Sequence, residues 1–396
     1  MIPNRSTGVL RKSIAVLTTL LLALTAALPQ ARAADKLHDA VGAAVQPVIA
    51  RYAIPGMAVA VTHDSEHEVF TYGLADPATR RPVTDRTLFE IGSTSKTFTA
   101  TLAAWAEVTG QLALSAKIST YLPALQGTQF GDVTLQELGT HTPGGLPLQL
   151  PDAVTTQDKL IAYLQVWQPK YTSGTVRTYN NIGIGVLGLI TAVRLHQDFT
   201  TLMQTRLFPA LGLTSTFITI PATRRADYAQ GHTKTGTPIR MRSDLLAAET
   251  YAIRSTAGDM IGFVEANMGE LTLPADLQRA IAATHTGYVQ AGGMTQDLIW
   301  EQYNMPVALQ TLLVGNSDHM ILDPTPVSHL TPPSAPRADV WINKTGSTNG
   351  FAAYVAFVPE KRAGVVILAN RNYPIEAGVR LAYEVMSLLA SVDRRQ

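Results

Sequence analysis

Strand-like segments stand near both ends of this 396-residue chain, and they constrain its fold more than any other feature. Met57–Thr62 and Glu68–Leu74 are separated by a polar turn, which predicts an antiparallel hairpin. Near the other end, three short strand-like runs are separated by turns: Asp339–Lys344, Ala352–Val358 and Gly364–Leu368. A strand needs partners in a sheet to be stable. We therefore expect the two ends of the chain to meet in one antiparallel sheet.

Helical patterns accompany the strands at both ends. Residues 35–52 carry apolar side chains at helical spacing, and Lys96–Val108 has the Ala, Thr, Leu and Trp content of a buried helix. Ala377–Leu389 has the pattern of an amphipathic helix that closes the chain. We expect these helices to flank the sheet.

The middle of the chain has a different character, with helical stretches and long loops rich in Pro and Gly. The sequence predicts an α+β protein with two domains. Residues 34–110 together with 325–396 would form an α/β domain with the antiparallel sheet. Residues 111–324 would form a mostly helical domain with loops.

The N-terminus has the pattern of a secretory signal peptide. A basic stretch that includes Arg11 and Lys12 precedes the apolar run Ile14–Leu28, and the small-residue pattern Ala31–Ala33 follows. The apolar run is shorter than the roughly 20 residues that a membrane span requires. We therefore expect residues 1–33 to be removed, which leaves a periplasmic protein with no attachment to the membrane.

Composition excludes several classes of function. The formal net charge of +1 gives no basic surface for nucleic acid. The chain has no cysteine, so it has neither disulfides nor a thiol nucleophile. His63 and His67 come closest to metal-ligand spacing, but they lie in a polar turn that we interpret as an exposed hairpin tip. We expect no metal and no cofactor, and we expect a monomer because no coiled-coil pattern is present.

Ser93 and Lys96 are the first candidates for chemistry. Residues three positions apart lie on the same face of a helix, which places the serine hydroxyl beside the lysine ammonium. A serine is a weak nucleophile unless a neighbouring group takes its proton, and a lysine in a closed site can be that group. This Ser-x-x-Lys tetrad is weak evidence by itself, because a surface helix can carry the same residues.

Tyr179 and Asn181 form the second element. A tyrosine held between two lysines can lose its proton well below its ordinary pKa of about 10, and it can then act as a general base. The amide of Asn181 can hold a substrate carbonyl or orient Lys96. A Tyr-x-Asn motif carries little information unless the other elements accompany it.

The third element is the segment Lys344-Thr345-Gly346-Ser347, at the edge of a strand. The glycine allows a substrate to approach the backbone closely. The N–H groups of Ser347 and Ser93 can form an oxyanion hole. Lys344 can bind a substrate carboxylate and raise the acidity of Tyr179.

A second Lys-Thr-Gly tripeptide, Lys234–Gly236, occurs between turn residues and close to a proline. We predict that it is the polar tip of a hairpin and that the strand-borne Lys344 is the functional copy.

The three elements in this order resemble the penicilloyl-serine transferases, and among them the class C β-lactamases. The resemblance covers nearly all of the chain after residue 33. It is carried by these stretches: 54–62, 88–99, 138–152, 331–333 and 344–373. It implies a β-lactamase/transpeptidase-like fold with the active site between the two domains, and hydrolysis of β-lactams of the cephalosporinase type.

The resemblance also implies roles for individual residues. Ser93 is acylated, Lys96 and Tyr179 move protons, and Lys344 assists Tyr179. The substrate-binding residues would be Gln149, Asn181, Tyr251, Thr345 and Gly346, with Gln149 and Asn181 on the amide side chain of the substrate and Tyr251 as an aromatic wall.

The sequence departs from the family at three places. Ile375 and Gly378 stand where many members have Asn and Arg, and Asn343 stands where a His is frequent. The changes at Ile375 and Gly378 imply weaker or rearranged contacts to the substrate carboxylate.

Rival functions use the same residues. A D-alanyl-D-alanine carboxypeptidase or a Ser-x-x-Lys esterase would also be acylated at Ser93, and a non-catalytic β-lactam or cell-wall sensor would bind without turnover. The chain has no Gly-x-Ser-x-Gly motif, which argues against an α/β-hydrolase, and no Ser-Asp-Asn, which argues against a class A enzyme.

Overall fold

The computed structural model describes residues 36–393. Its strands are β1 Gly56–His63, β2 Glu66–Asp76, β3 Arg81–Pro82, β4 Phe89–Glu90, β5 Val176–Arg177, β6 Gly231–His232, β7 Pro238–Ile239, β8 Arg254–Ser255, β9 Gly287–Ala291, β10 Met294–Gln296, β11 Glu301–Asn304, β12 Thr325–Pro326, β13 Ser328–Ser334, β14 Val340–Ser347, β15 Ala352–Val358 and β16 Ala363–Ala369.

The helices are distributed along the whole of the described chain. They are α1 36–52, and then α2 Ser95–Val108, α3 Leu135–Gly139, α4 Gln157–Val166, α5 Asn181–Arg194, α6 Phe199–Leu202, α7 Phe208–Ala210, α8 Ala247–Thr250, α9 Ala257–Met268, α10 Ala275–Thr284, α11 Leu309–Gly315, α12 Asp318–Leu322 and α13 Ile375–Asp393. Within residues 36–393, no helix combines the length and the apolar character that crossing a membrane requires.

The two ends of the chain meet in one antiparallel sheet, as the sequence predicts. The ten strands follow the order β13-β9-β10-β11-β14-β15-β16-β1-β2-β3. Strand β1 pairs with its hairpin partner β2 on one side and with β16 on the other, from Met57 opposite Ala369 to His63 opposite Ala363. The backbone N–H of Gly56 also donates to Asn370 Oδ1 (2.7 Å), across 314 residues of sequence.

The central strands are apolar along their whole length because helices cover both faces of the sheet. Successive side chains point to opposite faces. On β1, Ala58 and Ala60 join the core that contains α2, α9 and α10. Met57 and Val59 join a second core with α1 and α13. Packing alone holds these layers together, since the chain has no cysteine.

The sheet also recruits strands from the middle of the chain. Strands β9, β10 and β11 lie in the 111–324 range that the sequence analysis assigns to a mostly helical domain. They are three to five residues long and carry several polar side chains, so their pattern is weak. The domain boundaries stay a prediction, and the predicted signal peptide 1–33 lies outside the described residues.

One buried carboxyl group stands out in the turn between β10 and β11. Asp297 is fully buried, and neither carboxylate oxygen has a hydrogen-bond partner within residues 36–393. Burial, with a smaller contribution from the nearby Glu301 carboxylate, raises the pKa of Asp297 well above its usual range. The folded protein therefore keeps this group protonated at a pH where the unfolded chain ionises it.

We predict that Asp297→Asn makes the free energy of unfolding less dependent on pH. A raised folded-state pKa gives stability that is complete below the unfolded pKa of about 3.9 and is lost as the pH rises to the folded-state pKa, at about 1.4 kcal/mol per pH unit. Urea unfolding of both proteins at pH 5, 6 and 7 measures this loss. The stability of the variant relative to the parent should increase with pH, and a constant difference would contradict the assignment.

Candidate active site

A cavity of about 1100 Å³ lies between the end of strand β14 and loops of the helical part of the chain. Nine of the ten residues that the sequence analysis selects line it: Ser93, Gln149, Tyr179, Asn181, Tyr251, Lys344, Thr345, Gly346 and Ser347. The tenth, Lys96, is buried and donates a hydrogen bond to Ser93. The structure thus brings together residues that are distributed over more than 250 positions of sequence.

Ser93 lies in a single 3₁₀ turn, Gly92–Thr94, that leads directly into helix α2. Lys96 is in the first turn of that helix. Its Nζ donates to Ser93 Oγ (2.8 Å) and to the backbone carbonyl of Thr250 (3.2 Å). Burial lowers the pKa of Lys96 to about 8, the Lys344 charge adds to this, and Tyr179 opposes it. A hydrogen-bonded amine with this pKa can take the proton of Ser93.

Tyr179 lies between the two lysines. The Nζ atoms of Lys96 and Lys344 are 5.4 Å and 5.2 Å from its ring centroid. Burial alone would raise the pKa of Tyr179, but the two ammonium groups and a hydrogen bond from Ser93 outweigh it and lower the pKa to about 8. The phenolate is therefore accessible near neutral pH, beside the hydroxyl that needs a base.

Lys344 is held in place by a buried carboxylate that the sequence analysis does not identify. Glu301 Oε1 lies 3.4 Å from Lys344 Nζ and 3.3 Å from Arg177 Nη2. Asn343 donates to the other oxygen of Glu301 (3.2 Å). All these side chains are buried. One anion thus partners two buried cations, which would otherwise be very costly to desolvate.

Two glycines bring the turn that carries Ser93 against strand β14. Gly92 has a φ of +52°, and a Cβ there would lie 2.5 Å from the backbone nitrogen of Ser347. A Cβ on Gly346 would overlap the carbonyl oxygen of Ile91. Only glycine fits at either contact. The backbones of Ser93 and Ser347 therefore lie side by side, as an oxyanion hole requires.

The second half of β14 has one unpaired edge among the described strands. Val340–Asn343 pair with β11, whereas Lys344–Ser347 pair with β15 alone. This free edge borders the cavity. An extended substrate can lie along it and hydrogen-bond to the backbone.

The remaining predicted residues are arranged around the cavity. Asn181 is the first residue of helix α5. Its side-chain Oδ1 is buried and has no hydrogen-bond partner in the described part of the chain. Tyr251 directly follows Thr250 and is half-buried. Ile375 also lines the cavity, whereas Gly378 lies on α13 against Tyr373. An unpartnered amide oxygen facing a cavity is a natural contact for a substrate N–H.

The second Lys-Thr-Gly tripeptide is a hairpin tip, as predicted. Lys234–Gly236 join the short strands β6 and β7, and Lys234 is exposed. At the other predicted tip, His67 Nδ1 lies 3.0 Å from Glu265 Oε1. Among residues 36–393, no group of three or more His, Asp or Glu side chains is arranged to hold a metal ion.

Sequence reasoning misses four further residues at this site. They are Glu301, which pairs with Lys344; Arg177, which pairs with Glu301; Thr250, whose backbone carbonyl accepts from Lys96; and His141. The His141 ring packs on Tyr179, with 4.4 Å between the ring centroids. Burial and three nearby cations lower the pKa of His141 well below its usual value, so it is neutral.

Comparison with known proteins gives consistent matches. A family model described as Beta-lactamase matches residues 41–390. A β-lactamase of Pseudomonas fluorescens is 47% identical over 90% of this chain and 99% of the relative, and one of Escherichia coli K12 is 39% identical over 93% and 98%.

Solved structures of similar proteins extend these matches. A class C β-lactamase in complex with cefoxitin has a TM-score of 0.87 at 44% identity, and covers 89% of this chain and 99% of that one. The D-alanine carboxypeptidase AmpC of Burkholderia cenocepacia has a TM-score of 0.86 at 53% identity, with the same coverage.

We predict that Lys344→Met raises the pKa of Tyr179 above its value of about 8 by at least one unit, because the variant removes the cation that lowers it most. Titration of ¹³Cζ-labelled tyrosine by NMR measures this pKa directly. Lys234→Met is the matched control, since it removes the same charge from the exposed Lys-Thr-Gly copy and should leave the pKa of Tyr179 unchanged. Equal shifts in both variants would show that the effect is not local.

Proposed function

This chain belongs to the β-lactamase family and is a class C serine enzyme that hydrolyses β-lactams, and from that premise we propose that Ser93, Lys96, Tyr179 and Lys344 carry out the reaction. The observation that supports this assignment is the hydrogen bond from Lys96 Nζ to Ser93 Oγ (2.8 Å), beside a tyrosine flanked by two ammonium groups.

In the first step, Ser93 Oγ attacks the lactam carbonyl carbon as its proton passes to the Tyr179–Lys96 pair. The negative charge that develops on the carbonyl oxygen is stabilised by the backbone N–H groups of Ser93 and Ser347. The C–N bond of the ring then breaks, and the same pair returns the proton to the ring nitrogen. The product is an ester on Ser93.

In the second step, a water molecule attacks this ester, and the Tyr179–Lys96 pair again takes a proton. The C–O bond to Ser93 breaks, the serine hydroxyl recovers its proton, and the ring-opened acid leaves. The pKa values of Tyr179 and Lys96 both lie at about 8, so the two groups titrate as a unit. We propose Tyr179 as the base, because Lys344 favours its phenolate.

Substrate binding is proposed to follow the walls of the cavity. Gln149 and Asn181 contact the amide side chain of the β-lactam, and Tyr251 forms an aromatic wall. Thr345 and Gly346 offer the free edge of β14. Ile375 presents an apolar side chain to the cavity where relatives have Asn, which implies that the substrate carboxylate depends more on Lys344 and Thr345 in this chain.

We propose that the chain is exported, that residues 1–33 are removed, and that it acts as a monomer in the periplasm. Residues 34–110 with 325–396 would form one domain and 111–324 the other, with the cavity between them. A protein from Burkholderia cenocepacia that resembles this chain carries the name D-alanine carboxypeptidase, and one from Pseudomonas syringae carries the double name beta-lactamase/D-alanine carboxypeptidase. That activity would use the same acylation at Ser93 and would differ in how fast the β-lactam ester is hydrolysed.

We predict that the purified protein, mixed with a chromogenic cephalosporin, hydrolyses many molecules per enzyme, and that Ser93→Ala lowers the rate by at least 10³-fold, because catalytic serines contribute this much or more. Absorbance measures turnover, and mass spectrometry measures any adduct. A single stoichiometric burst with a stable adduct on Ser93 would indicate a peptidase or a sensor. Full turnover by Ser93→Ala would refute the site.

We predict that Glu301→Gln moves the acid limb of the pH profile of kcat/KM to lower pH, by less than one pH unit. The Glu301 carboxylate raises the pKa of Tyr179, so its removal makes the phenolate form at lower pH. The isosteric amide keeps an oxygen that accepts from Lys344 and Arg177. Glu360→Gln, at the opposite end of β15 from the cavity, is the control. A limb that stays in place, in a folded variant, would show that Glu301 does not influence the base.

A further inference from the structure

A second cavity, of about 530 Å³, lies behind one wall of the catalytic cavity. Helices α4 and α5 and the start of α6 form its outer walls, and the segment Leu245–Glu249 forms its inner wall. Leu245 and Leu246 line both cavities. The two spaces are therefore separated by one segment of chain, and a molecule bound in the second cavity would contact the wall of the first.

The lining of the second cavity combines apolar walls with carboxylates. Leu160, Leu189 and Phe199 are among the apolar residues. Glu249 and Asp198 are the two acids, and no Lys or Arg lines the cavity. The Asp198 carboxylate is already engaged at the start of α6, where Oδ2 accepts from Thr201. This lining suits a molecule with an apolar body and one positive charge.

Glu249 is the residue best placed to hold that charge. Within residues 36–393, its carboxylate forms no ion pair and accepts a hydrogen bond only from its own backbone N–H. Burial, with a contribution from Asp198, raises the pKa of Glu249 to about 7. An ammonium group bound against it would supply the missing partner and favour the ionised form.

The same residue is connected to the catalytic lysine. Helix α8 is only four residues long and includes Glu249 and Thr250. The Glu249 carbonyl accepts from Thr99 on α2 (2.6 Å), and the Thr250 carbonyl accepts from Lys96 Nζ (3.2 Å). Leu246, which precedes this helix, has a φ of +64°, in the left-handed region that is unfavourable for a leucine. A ligand that moves α8 therefore moves a hydrogen-bond acceptor of Lys96.

We propose that this cavity is a second binding site for primary organic ammonium ions with an aromatic or alkyl body, held by Glu249, and that occupancy alters acylation at Ser93 through α8. The proposal that the second cavity binds such ions depends only on the lining and the charge of that cavity. The effect on acylation rests on the function proposed above.

The test uses isothermal titration calorimetry of the whole mature protein at pH 8, with 2-phenylethylammonium as the probe and the uncharged 2-phenylethanol for comparison. Glu249 is mostly ionised at this pH, because its pKa is about 7. We expect the cation to bind at least tenfold more tightly than the alcohol, and Glu249→Gln to remove that preference. Equal binding of the cation to parent and Glu249→Gln would overturn the proposal.

Two further variants test where the probe binds, and they can be used if Glu249→Gln is unstable. Val193 is 42% exposed and lines the second cavity, so Val193→Trp should fill it from the solvent side and abolish binding without disturbing the core. Asp152→Asn removes a carboxylate that lines only the catalytic cavity and should leave binding unchanged. Loss of binding in Asp152→Asn, or unchanged binding in Val193→Trp, would place the probe elsewhere and refute the site.

Kinetics tests the coupling separately. We expect saturating 2-phenylethylammonium to change kcat/KM for a chromogenic cephalosporin at least twofold in the parent and to have no effect in Val193→Trp. If calorimetry detects binding but kcat/KM does not change, the second site is supported and its coupling to Lys96 is refuted. Binding with no turnover at all would leave the site intact and refute the proposed function instead.

Discussion

The site depends on two buried ammonium groups that lie on either side of one phenol. Burial and the nearby Lys344 charge lower the pKa of Lys96, and both ammonium groups lower the pKa of Tyr179. Glu301 offsets part of the Lys344 charge, and the Thr250 carbonyl and Ser93 hydroxyl partner Lys96. The fold satisfies this constraint by placing the two lysines on different kinds of element, a helix start and a strand, which rigid packing holds apart.

The site residues that belong to sequence motifs could be predicted from the sequence, because each motif requires a particular local conformation. A Ser-x-x-Lys tetrad implies a helical turn, and a Lys-Thr-Gly in an apolar run implies a strand. The same reasoning separates Lys344 from Lys234, since only one copy continues a strand pattern. The sheet built from both chain ends was predictable for a similar reason: β1 and β16 are apolar along nearly their whole length.

The sequence could not predict hydrogen-bond and ion-pair partners that only the tertiary structure brings together. Arg177 and Glu301 are 124 positions apart, and no local pattern links them. Thr250 acts through a carbonyl that any residue type can supply. Strands β9–β11 were missed because short strands with polar side chains resemble loops until a neighbouring strand pairs with them. The missing information is therefore long-range: which surfaces the chain brings into contact.

The pairing of β1 with β16 has a consequence for how the chain is made. On a nascent chain, residues 56–76 of the β1–β2 hairpin are made long before residues 363–369, so β1 keeps one edge unpaired until those residues have been synthesised. Contacts this distant in sequence give a high contact order and slow folding. The growing chain therefore cannot complete this sheet progressively from the N-terminus, because the central strand β1 lacks one of its two neighbours until β16 is available.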